Sequence, residues 1–371
     1  MSDIRIFFLV NSLSKGGAER VISILANKFQ SKNYKVDLLY FRNIPVQYPI
    51  NRQVNLKCLN APIEPNANII RRFFLLIKRV FILKKALKNI PKNSVIISFG
   101  DGVSILLMIS KLISFSRIKT IISIRSNPLK NTPFIYRNIA SFFYIFSSKI
   151  VVQSKFIERS ISNSMLRKKI VTIFNPVPNN FTVNPYNIKP KKYSILSIGR
   201  YIRSKRHDIL INAFSNVIKD KNKHLTLCIA GKDDGEKRHL DKLIKELKIE
   251  NNVILLDAVD DVYSLYLNSD IYVHPSEYEG MSNAVLEAMS SGLPSIISNY
   301  DGIEEIINDN ENGYLFETNN ISALTNTINN LLIDNEKKLD FSDKCYQQIK
   351  KDFDINLIFR RWESIILNLF K

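Results

Sequence analysis

The 371-residue sequence has only three cysteines, which stand far apart at Cys58, Cys228 and Cys345. This spacing supports neither a disulfide framework nor a zinc site, and it suits a reducing compartment. The sequence also lacks any apolar stretch that approaches the ~20 residues of a membrane span. The short apolar run at residues 4–10 is bordered by charged residues, which indicates a buried strand rather than a signal peptide.

Acidic residues are scarce in the first half of the chain. Residues 1–190 contain 30 Lys/Arg and 6 Asp/Glu, whereas residues 191–371 contain 23 and 28, so the net charge of +19 arises in the front half. No recognised nucleic-acid motif accompanies this charge, and we expect no nucleic-acid partner. An anionic membrane surface fits a one-sided distribution as well.

Short β-branched runs alternate with longer helical patterns, which is typical of parallel βαβ units. Residues 175–192 carry four prolines and little periodicity, and we predict that they form a linker. We expect an α/β fold with two Rossmann-like, doubly wound domains that face each other across a cleft. The predicted domains are residues 1–174 and 193–353, and residues 354–371 form a terminal helix that packs back toward the N-terminal domain. The predicted strands are 4–10, 35–41, 94–99, 119–124, 149–154 and 169–174, then 193–199, 225–231, 252–257, 270–275 and 294–298.

Two glycine-containing loops follow predicted strands. Gly16 and Gly17 immediately precede a helix, so the backbone there would let an anion approach the helix N-terminus, but a tight turn explains them equally well. Gly199 ends the first strand of the second domain, and Arg200 and Lys205 emerge from the loop behind it. Two cations at that position suit a diphosphate, whereas a solvated basic loop is the alternative.

The stretch EYEGMSNAVLEAMSSGLP (277–294) keeps one glutamate, Glu279, just outside a helix start and another, Glu287, inside the helix, with no neighbouring Lys or Arg. If Asn283 is the N-cap of the helix, Glu287 lies about one turn in and Glu279 stands just outside its start. The ordinary explanation is that both complement the helix dipole. The functional one is that Glu287 reaches vicinal hydroxyls, and that backbone N–H groups at the helix start hold ligand oxygens. The residues of that helix start are Gly280, Met281, Ser282 and Asn283.

The segment RRFFLLIKRVFILKKALK (71–88) reads as an amphipathic helix with a basic face. Its cations are Arg71, Lys78 and Lys85, with Arg72, Arg79 and Lys88 at the margins, and the opposite face holds Phe73, Leu76, Ile77, Val80, Leu83 and Leu87. This layout indicates a helix that lies in a membrane interface. A core helix with a solvated basic face remains the alternative, because further apolar residues blur the two faces.

Taken together, these motifs resemble the retaining glycosyltransferases of family 4, which have the GT-B fold. The resemblance covers nearly the whole chain: the GGAER loop, the G-R-x4-K loop at 199–205, the A-G turn at 230–231, the D-A-V-D-D segment at 257–261, and the E-x7-E motif of Glu279 and Glu287 followed by GLP. It implies transfer of a sugar from a nucleotide diphosphate donor, with retained anomeric configuration and without a metal.

The resemblance also implies residue roles. Arg200 and Lys205 match the donor diphosphate clamp, Glu287 the ribose ligand, and Glu279 the carboxylate beside the donor sugar. Val259 falls where the family holds the base through its backbone. Many family members have a histidine in the loop that here reads SIRSNP (123–128), so Arg125, Ser126 and Asn127 are expected to contact donor sugar or acceptor. His274 abuts the glutamate loop and is expected to pack or hydrogen-bond rather than to catalyse.

These expectations define one function and its rivals. The sequence predicts a transferase that moves a hexose or N-acetylhexosamine from a UDP-sugar to a lipid-linked saccharide in bacterial O-antigen-like polysaccharide synthesis, with no further cofactor. It would be cytoplasmic and peripherally associated with the inner face of the cell membrane. UDP is preferred over GDP only because resembling proteins usually use it. The rivals are a nucleotide-sugar hydrolase or epimerase on the same fold, and a non-catalytic polysaccharide or nucleic-acid binder.

Overall fold

The computed structural model describes residues 4–14, 16–61, 64, 68–126, 133–161, 163–178, 191–221 and 225–371. The chain forms two compact units: unit 1 is Met1–Pro176 with Asn356–Lys371, and unit 2 is Val177–Ile355. The boundary at Pro176 falls inside the stretch predicted as a linker, and residues 179–190 of that stretch lie outside the described residues.

Unit 1 is built on a seven-stranded parallel sheet in the order β3-β2-β1-β4-β5-β6-β7. Its five inner strands are rich in aliphatic and aromatic residues and are buried on both faces, as expected for a parallel sheet covered by helices, whereas its two edge strands are exposed or partly buried. The strands are β1 (Arg5–Val10), β2 (Lys35–Tyr40), β3 (Asn55–Cys58), β4 (Ser94–Phe99), β5 (Lys119–Ile124), β6 (Lys149–Val152) and β7 (Ile170–Thr172).

Helices cover both faces of this sheet. They are α1 (Gly17–Ser31), α2 (Ile69–Lys88), α3 (Asp101–Ile113), α4 (Phe134–Tyr144), α5 (Lys155–Ser160), α6 (Ser164–Arg167) and the terminal helix α13 (Ile355–Asn368). Helix α13 packs on α1, where the rings of Phe29 and Phe359 lie 4.9 Å apart, and it buries Trp362 completely. The terminal helix therefore completes the core of unit 1, as the sequence predicts.

Unit 2 contains a six-stranded parallel sheet in the order β10-β9-β8-β11-β12-β13. Its strands are β8 (Tyr193–Ile198), β9 (Leu227–Ala230), β10 (Val253–Leu256), β11 (Ser269–His274), β12 (Ser295–Ser298) and β13 (Tyr314–Phe316). Its helices are α7 (His207–Lys221), α8 (Lys237–Glu246), α9 (Val262–Leu267), α10 (Asn283–Ser290), α11 (Ile321–Ile333) and α12 (Asn335–Gln348).

The structure confirms the predicted α/β class of two Rossmann-like sheets and adds two strands, β3 and β13. Both are edge strands with little apolar pattern: β3 (NLKC) has a single aliphatic residue, Leu56, and β13 (YLF) is three residues long. In the described part of the chain, no helix is both long and apolar enough to cross a membrane.

Candidate active site

The topology of unit 2 brings two predicted motifs together. Strand order runs outward in opposite directions from the neighbouring strands β8 and β11, so the loops behind them leave a crevice at the carboxyl edge of the sheet. The loop after β8 holds residues 199–206, and the loop after β11 holds residues 275–282. Ligands of doubly wound sheets bind at this switch point.

One glycine makes room at this edge. A Cβ atom on Gly231 would lie 1.9 Å from the carbonyl oxygen of Gly199, a distance that no side chain tolerates. The backbones after β8 and β9 therefore touch because residue 231 is glycine, whereas a Cβ atom on Gly199 would lie 3.4 Å from its nearest neighbour, Lys205. This contact explains why the A-G turn at 230–231 has glycine at its second position. The sequence indicates that turn only through the family resemblance.

At the switch point, a lysine and a histidine converge on one carboxylate. Lys205 forms an ion pair with Oε1 of Glu279, and Nε2 of His274 lies 2.9 Å from the same oxygen. The side chains of Lys205 and Glu279 are each 16% exposed, so the pair is largely shielded from solvent. The structure thus joins two residues that the sequence predicts separately, and adds His274 as a third member.

The ionisation states of this cluster follow from its contacts. Burial raises the pKa of Glu279, but the charge of Lys205 and the bond from His274 outweigh it and hold that pKa well below its usual range. Burial also lowers the pKa of His274, so its imidazole is neutral at pH 7. The site therefore presents a carboxylate, an ammonium and a neutral histidine.

Helix α10 begins one residue earlier than the sequence indicates. Ser282 is the N-cap and its Oγ accepts a hydrogen bond from the backbone N–H of Val285 at 3.5 Å, whereas Asn283 is the first helical residue. Met281 and Ser282 are buried, and Gly280 and Asn283 are partly exposed. Serine and asparagine are both favoured N-cap residues, so the sequence alone does not distinguish Ser282 from Asn283 as the cap.

Glu287 lies on the second turn of α10. The residue is 5% exposed, and its Oε2 accepts a hydrogen bond from the hydroxyl of Tyr266 at 3.3 Å. It is therefore held against α9, and its contact with a ribose stays a prediction. Val259, predicted to hold the base, is partly buried in the connection between β10 and α9.

Arg200 faces a different carboxylate. Its Nη1 donates to Oδ2 of Asp234 at 3.0 Å, and Asp234 also pairs with Lys232 at 3.0 Å. The Arg200 side chain is 54% exposed. A diphosphate that binds Arg200 would compete with Asp234, a partner that sequence motifs do not indicate.

Within the described residues, no group of three His, Cys, Asp or Glu side chains is placed to hold a metal ion. The chain's one Asp-x-Asp, at 352–354, precedes the terminal helix. Metal independence stays a prediction.

In unit 1 the predicted glycine loop lies at the carboxyl end of β1. Gly16 is the N-cap of α1 with extended backbone, and Gly17 is its exposed first residue. Strands β1 and β4 are the neighbours from which the strand order of this sheet diverges, so the loop lies at the switch point of unit 1.

The loop after β5 turns its arginine inward. Arg125 donates from Nη1 to Oδ1 of Asn175, and its guanidinium stacks on Phe99 and Trp362, 4.8 and 6.0 Å from the ring centroids. Burial lowers the pKa of Arg125. The side chain therefore packs against the core of unit 1, and a substrate contact stays a prediction.

Ser126, the next residue of this loop, lies near Asp101, a carboxylate that the sequence does not single out. Oγ of Ser126 lies 3.4 Å from Asp101, and the hydroxyl of Tyr144 donates to Asp101 at 2.9 Å. Burial raises the pKa of Asp101. Asn127 lies outside the described residues.

Helix α2 departs from its predicted faces. Its C-terminal half packs on the core through Val80, Leu83, Ala86 and Leu87, whereas its N-terminal half leaves Ile70, Phe73 and Phe74 60–69% exposed. Phe81 is also exposed, at 56%. The helix is therefore both a core helix and the carrier of an exposed apolar surface.

The cations of α2 also separate into two groups. Arg72, Lys78 and Lys85 are exposed, and Arg71 pairs with Glu64 at 2.8 Å. Arg79 is a correction to the predicted basic face: its Nη2 donates to Asn11 at 3.0 Å and its guanidinium lies 4.4 Å from the Phe41 ring centroid. Asn11 and Phe41 follow β1 and β2, so Arg79 points into unit 1.

The two Rossmann-like sheets give the chain the GT-B fold, which solved glycosyltransferases share. Residues 179–348 match the family model described as glycosyl transferases group 1. The chain also superimposes on a mutant of S. aureus TarM in complex with UDP, with a TM-score of 0.80, 16% identity and coverage of 98% and 99% of the two chains. Anabaena HepE in complex with UDP gives a TM-score of 0.77 at 17% identity, with 98% and 100% coverage. Both likenesses show the fold.

Among curated relatives, the amylovoran biosynthesis glycosyltransferase AmsD of Erwinia amylovora is 24% identical over 98% of this chain and 99% of its own. An α-1,4-N-acetyl-D-galactosaminyltransferase of Campylobacter jejuni, whose name specifies an undecaprenol-diphosphate-linked saccharide, is 27% identical with 98% coverage of both chains. These findings support a glycosyltransferase of group 1, similar to enzymes of bacterial polysaccharide synthesis.

Proposed function

We propose that this protein is a retaining, metal-independent glycosyltransferase that moves a hexose or N-acetylhexosamine from a UDP-sugar to a lipid-linked saccharide. The observation that carries the proposal is the contact of Lys205 and His274 with Glu279 at the switch point of unit 2. A shielded carboxylate held ionised beside an ammonium suits a donor whose sugar gains positive charge while its diphosphate departs.

Each residue then has a chemical task. Arg200 and Lys205 would neutralise the charge that grows on the departing diphosphate, which is the task of a metal ion in other transferases. An acceptor hydroxyl attacks the anomeric carbon from the leaving-group side, and the leaving phosphate accepts its proton. Glu279 would stabilise the positive charge of the sugar in the transition state. Arg200 would exchange Asp234 for the diphosphate when the donor binds.

The proposed donor and acceptor draw on the relatives. Solved neighbours were crystallised with UDP, and one Campylobacter relative is named for a saccharide on undecaprenol diphosphate. The exposed aromatic and aliphatic side chains of α2, next to Lys78 and Lys85, support binding at an anionic membrane surface where such an acceptor resides. We therefore place the protein at the inner face of a bacterial membrane, in surface polysaccharide synthesis.

The test is a panel of UDP- and GDP-sugars, screened for stabilisation of the purified protein and then for UDP release with and without lipid-linked saccharides. The proposal expects one UDP-sugar to stand out and UDP release to rise on adding acceptor, with activity kept in a chelator. Release that no acceptor changes would favour the hydrolase. Activity that a chelator abolishes and manganese restores would overturn metal independence.

A further inference from the structure

His274 and Tyr272 form a hydrogen-bonded chain behind Glu279. Tyr272 and His274 point to the same side of β11, and the Tyr272 hydroxyl lies 3.1 Å from Nδ1 of His274. The other ring nitrogen, Nε2, lies 2.9 Å from Oε1 of Glu279 and 3.3 Å from Oγ of Ser282. Both side chains of the strand are fully buried or nearly so.

The charges of the cluster fix the tautomer of His274. Glu279 is ionised and only accepts hydrogen bonds, so Nε2 must carry the proton that points at it. A neutral imidazole then accepts at Nδ1, and the Tyr272 hydroxyl donates to it rather than to the Ile198 carbonyl, which lies farther away at 3.4 Å. The two hydrogen bonds therefore run in one direction: Tyr272 donates to His274, and His274 donates to Glu279.

The position of Glu279 shows why such a chain matters. Glu279 stands on the loop between β11 and α10, whereas His274 is the last residue of a strand inside the sheet. The loop is also tied to residue 204, because Glu277 N–H donates to the Ser204 carbonyl at 2.8 Å. A carboxylate on a loop keeps a fixed orientation only if rigid neighbours hold it.

We propose that His274 is a positioning residue that holds Glu279 in its reactive orientation through Nε2–H, and that Tyr272 acts through it by donating a hydrogen bond to Nδ1 that keeps the ring in place. The inference rests on the proposed function, in which Glu279 acts at the donor sugar. His274 does not gain or lose a proton during transfer, and it does not touch the reacting atoms.

The test compares three variants with a matched control. His274→Gln keeps an N–H donor, whereas His274→Leu fills similar space without one. We expect His274→Gln to stay within about fivefold of the wild-type kcat and His274→Leu to lose roughly fiftyfold with little change in donor KM, because the lost contact acts in the transition state. Tyr272→Phe should lose about fivefold, while Tyr314→Phe, a control on β13 whose ring makes an edge-to-face contact with Phe341, should keep full activity.

The pH profile separates positioning from packing. The groups that face Glu279 and His274 are Lys205, Tyr272, Tyr300 and, farther away, His207 and Glu287. Removing the Nε2–H donor raises the pKa of Glu279, so kcat should fall at a higher pH on acidification in His274→Leu than in the wild type. Equal losses in the Gln and Leu variants, or an unmoved acid limb, would overturn the inference.

A spectroscopic readout is independent of catalysis. In protein labelled with 15N-histidine, the His274 signal should be that of a neutral ring protonated at Nε2 at pH 7. Tyr272→Phe should keep this tautomer and shift the Nδ1 signal, because the hydrogen bond to Nδ1 is lost. A wild type that transfers no sugar would defeat the proposed function while this measurement still decides the inference. A ring protonated at Nδ1, or a charged ring at pH 7, would contradict it.

Discussion

The two units arrange their charges in different ways. In unit 2 the charged residues at the carboxyl edge of the sheet are paired, Lys205 with Glu279 and Arg200 with Asp234. In unit 1, Arg125 and Arg79 contact amides and aromatic rings instead: Arg125 bonds Asn175 and stacks on Phe99, and Arg79 bonds Asn11. Other cations of unit 1, such as Lys78 and Lys85, are exposed on α2.

This difference indicates two kinds of anion recognition. Paired charges in unit 2 suit one small anionic ligand, because each pair has a fixed geometry that the ligand joins or replaces. Exposed cations beside exposed Phe73 and Phe74 in unit 1 suit an extended surface, because long flexible side chains adapt to headgroups. Chemistry is thus expected in unit 2, and attachment in unit 1.

The largest effect is expected from Glu279→Gln. Turnover should fall by roughly two orders of magnitude or more, because a carboxylate near a cationic transition state is lost. UDP affinity and folding should change little. Steady-state kinetics, isothermal titration with UDP and thermal unfolding check this, with the exposed Glu246→Gln as control. Near-normal turnover would return Glu279 to the helix-dipole explanation.

The unit 1 side of the comparison is tested by changing Arg71, Lys78 and Lys85 together to Glu. At about 1 kcal/mol for each cation near an anionic surface, partition onto anionic vesicles should weaken roughly a hundredfold at low salt. Sedimentation with vesicles measures it. The control converts Lys219, Lys245 and Lys351 of unit 2, all exposed, to Glu for the same change in net charge. Equal binding of the wild type to neutral and anionic vesicles would show that electrostatic attraction does not drive the binding.

Loss of either clamp residue should weaken UDP by about tenfold, since charge-assisted bonds to the diphosphate are worth roughly 1.5–3 kcal/mol. Arg200→Ala and Lys205→Ala should therefore both raise the Kd for UDP in titration calorimetry. Lys205→Ala should also move the acid limb of kcat to higher pH, because the Lys205 charge helps to hold the pKa of Glu279 low. Unchanged UDP affinity in both variants would refute the clamp.

The smallest effect is expected from Asp234→Asn. This change removes the carboxylate that competes for Arg200, and an exposed pair of this kind is worth up to about 1 kcal/mol. The Kd for UDP should therefore fall two- to fivefold, which corresponds to up to about 1 kcal/mol of binding free energy. Weaker UDP binding would show that Asp234 supports Arg200 rather than competing with it.

The sequence predicts most of the fold and part of the site. Local patterns suffice for the long central strands and for the two motif loops, because parallel strands place their carboxyl ends at one edge. They fail for Arg79, whose neighbours Asn11 and Phe41 follow other strands. They place His274 beside the glutamate loop as a packing or hydrogen-bonding residue, but its contact with Glu279 depends on the path of that loop. Edge strands β3 and β13 have little apolar pattern.

The central claim is that Lys205 and Glu279 act as one unit at the switch point of unit 2. A double-mutant cycle on kcat with Lys205→Met, Glu279→Gln and the double variant tests it most directly, because residues that act together lose function non-additively. We predict that the double variant stays within about threefold of the worse single variant. Losses that multiply would show that the two residues act independently and would contradict the account.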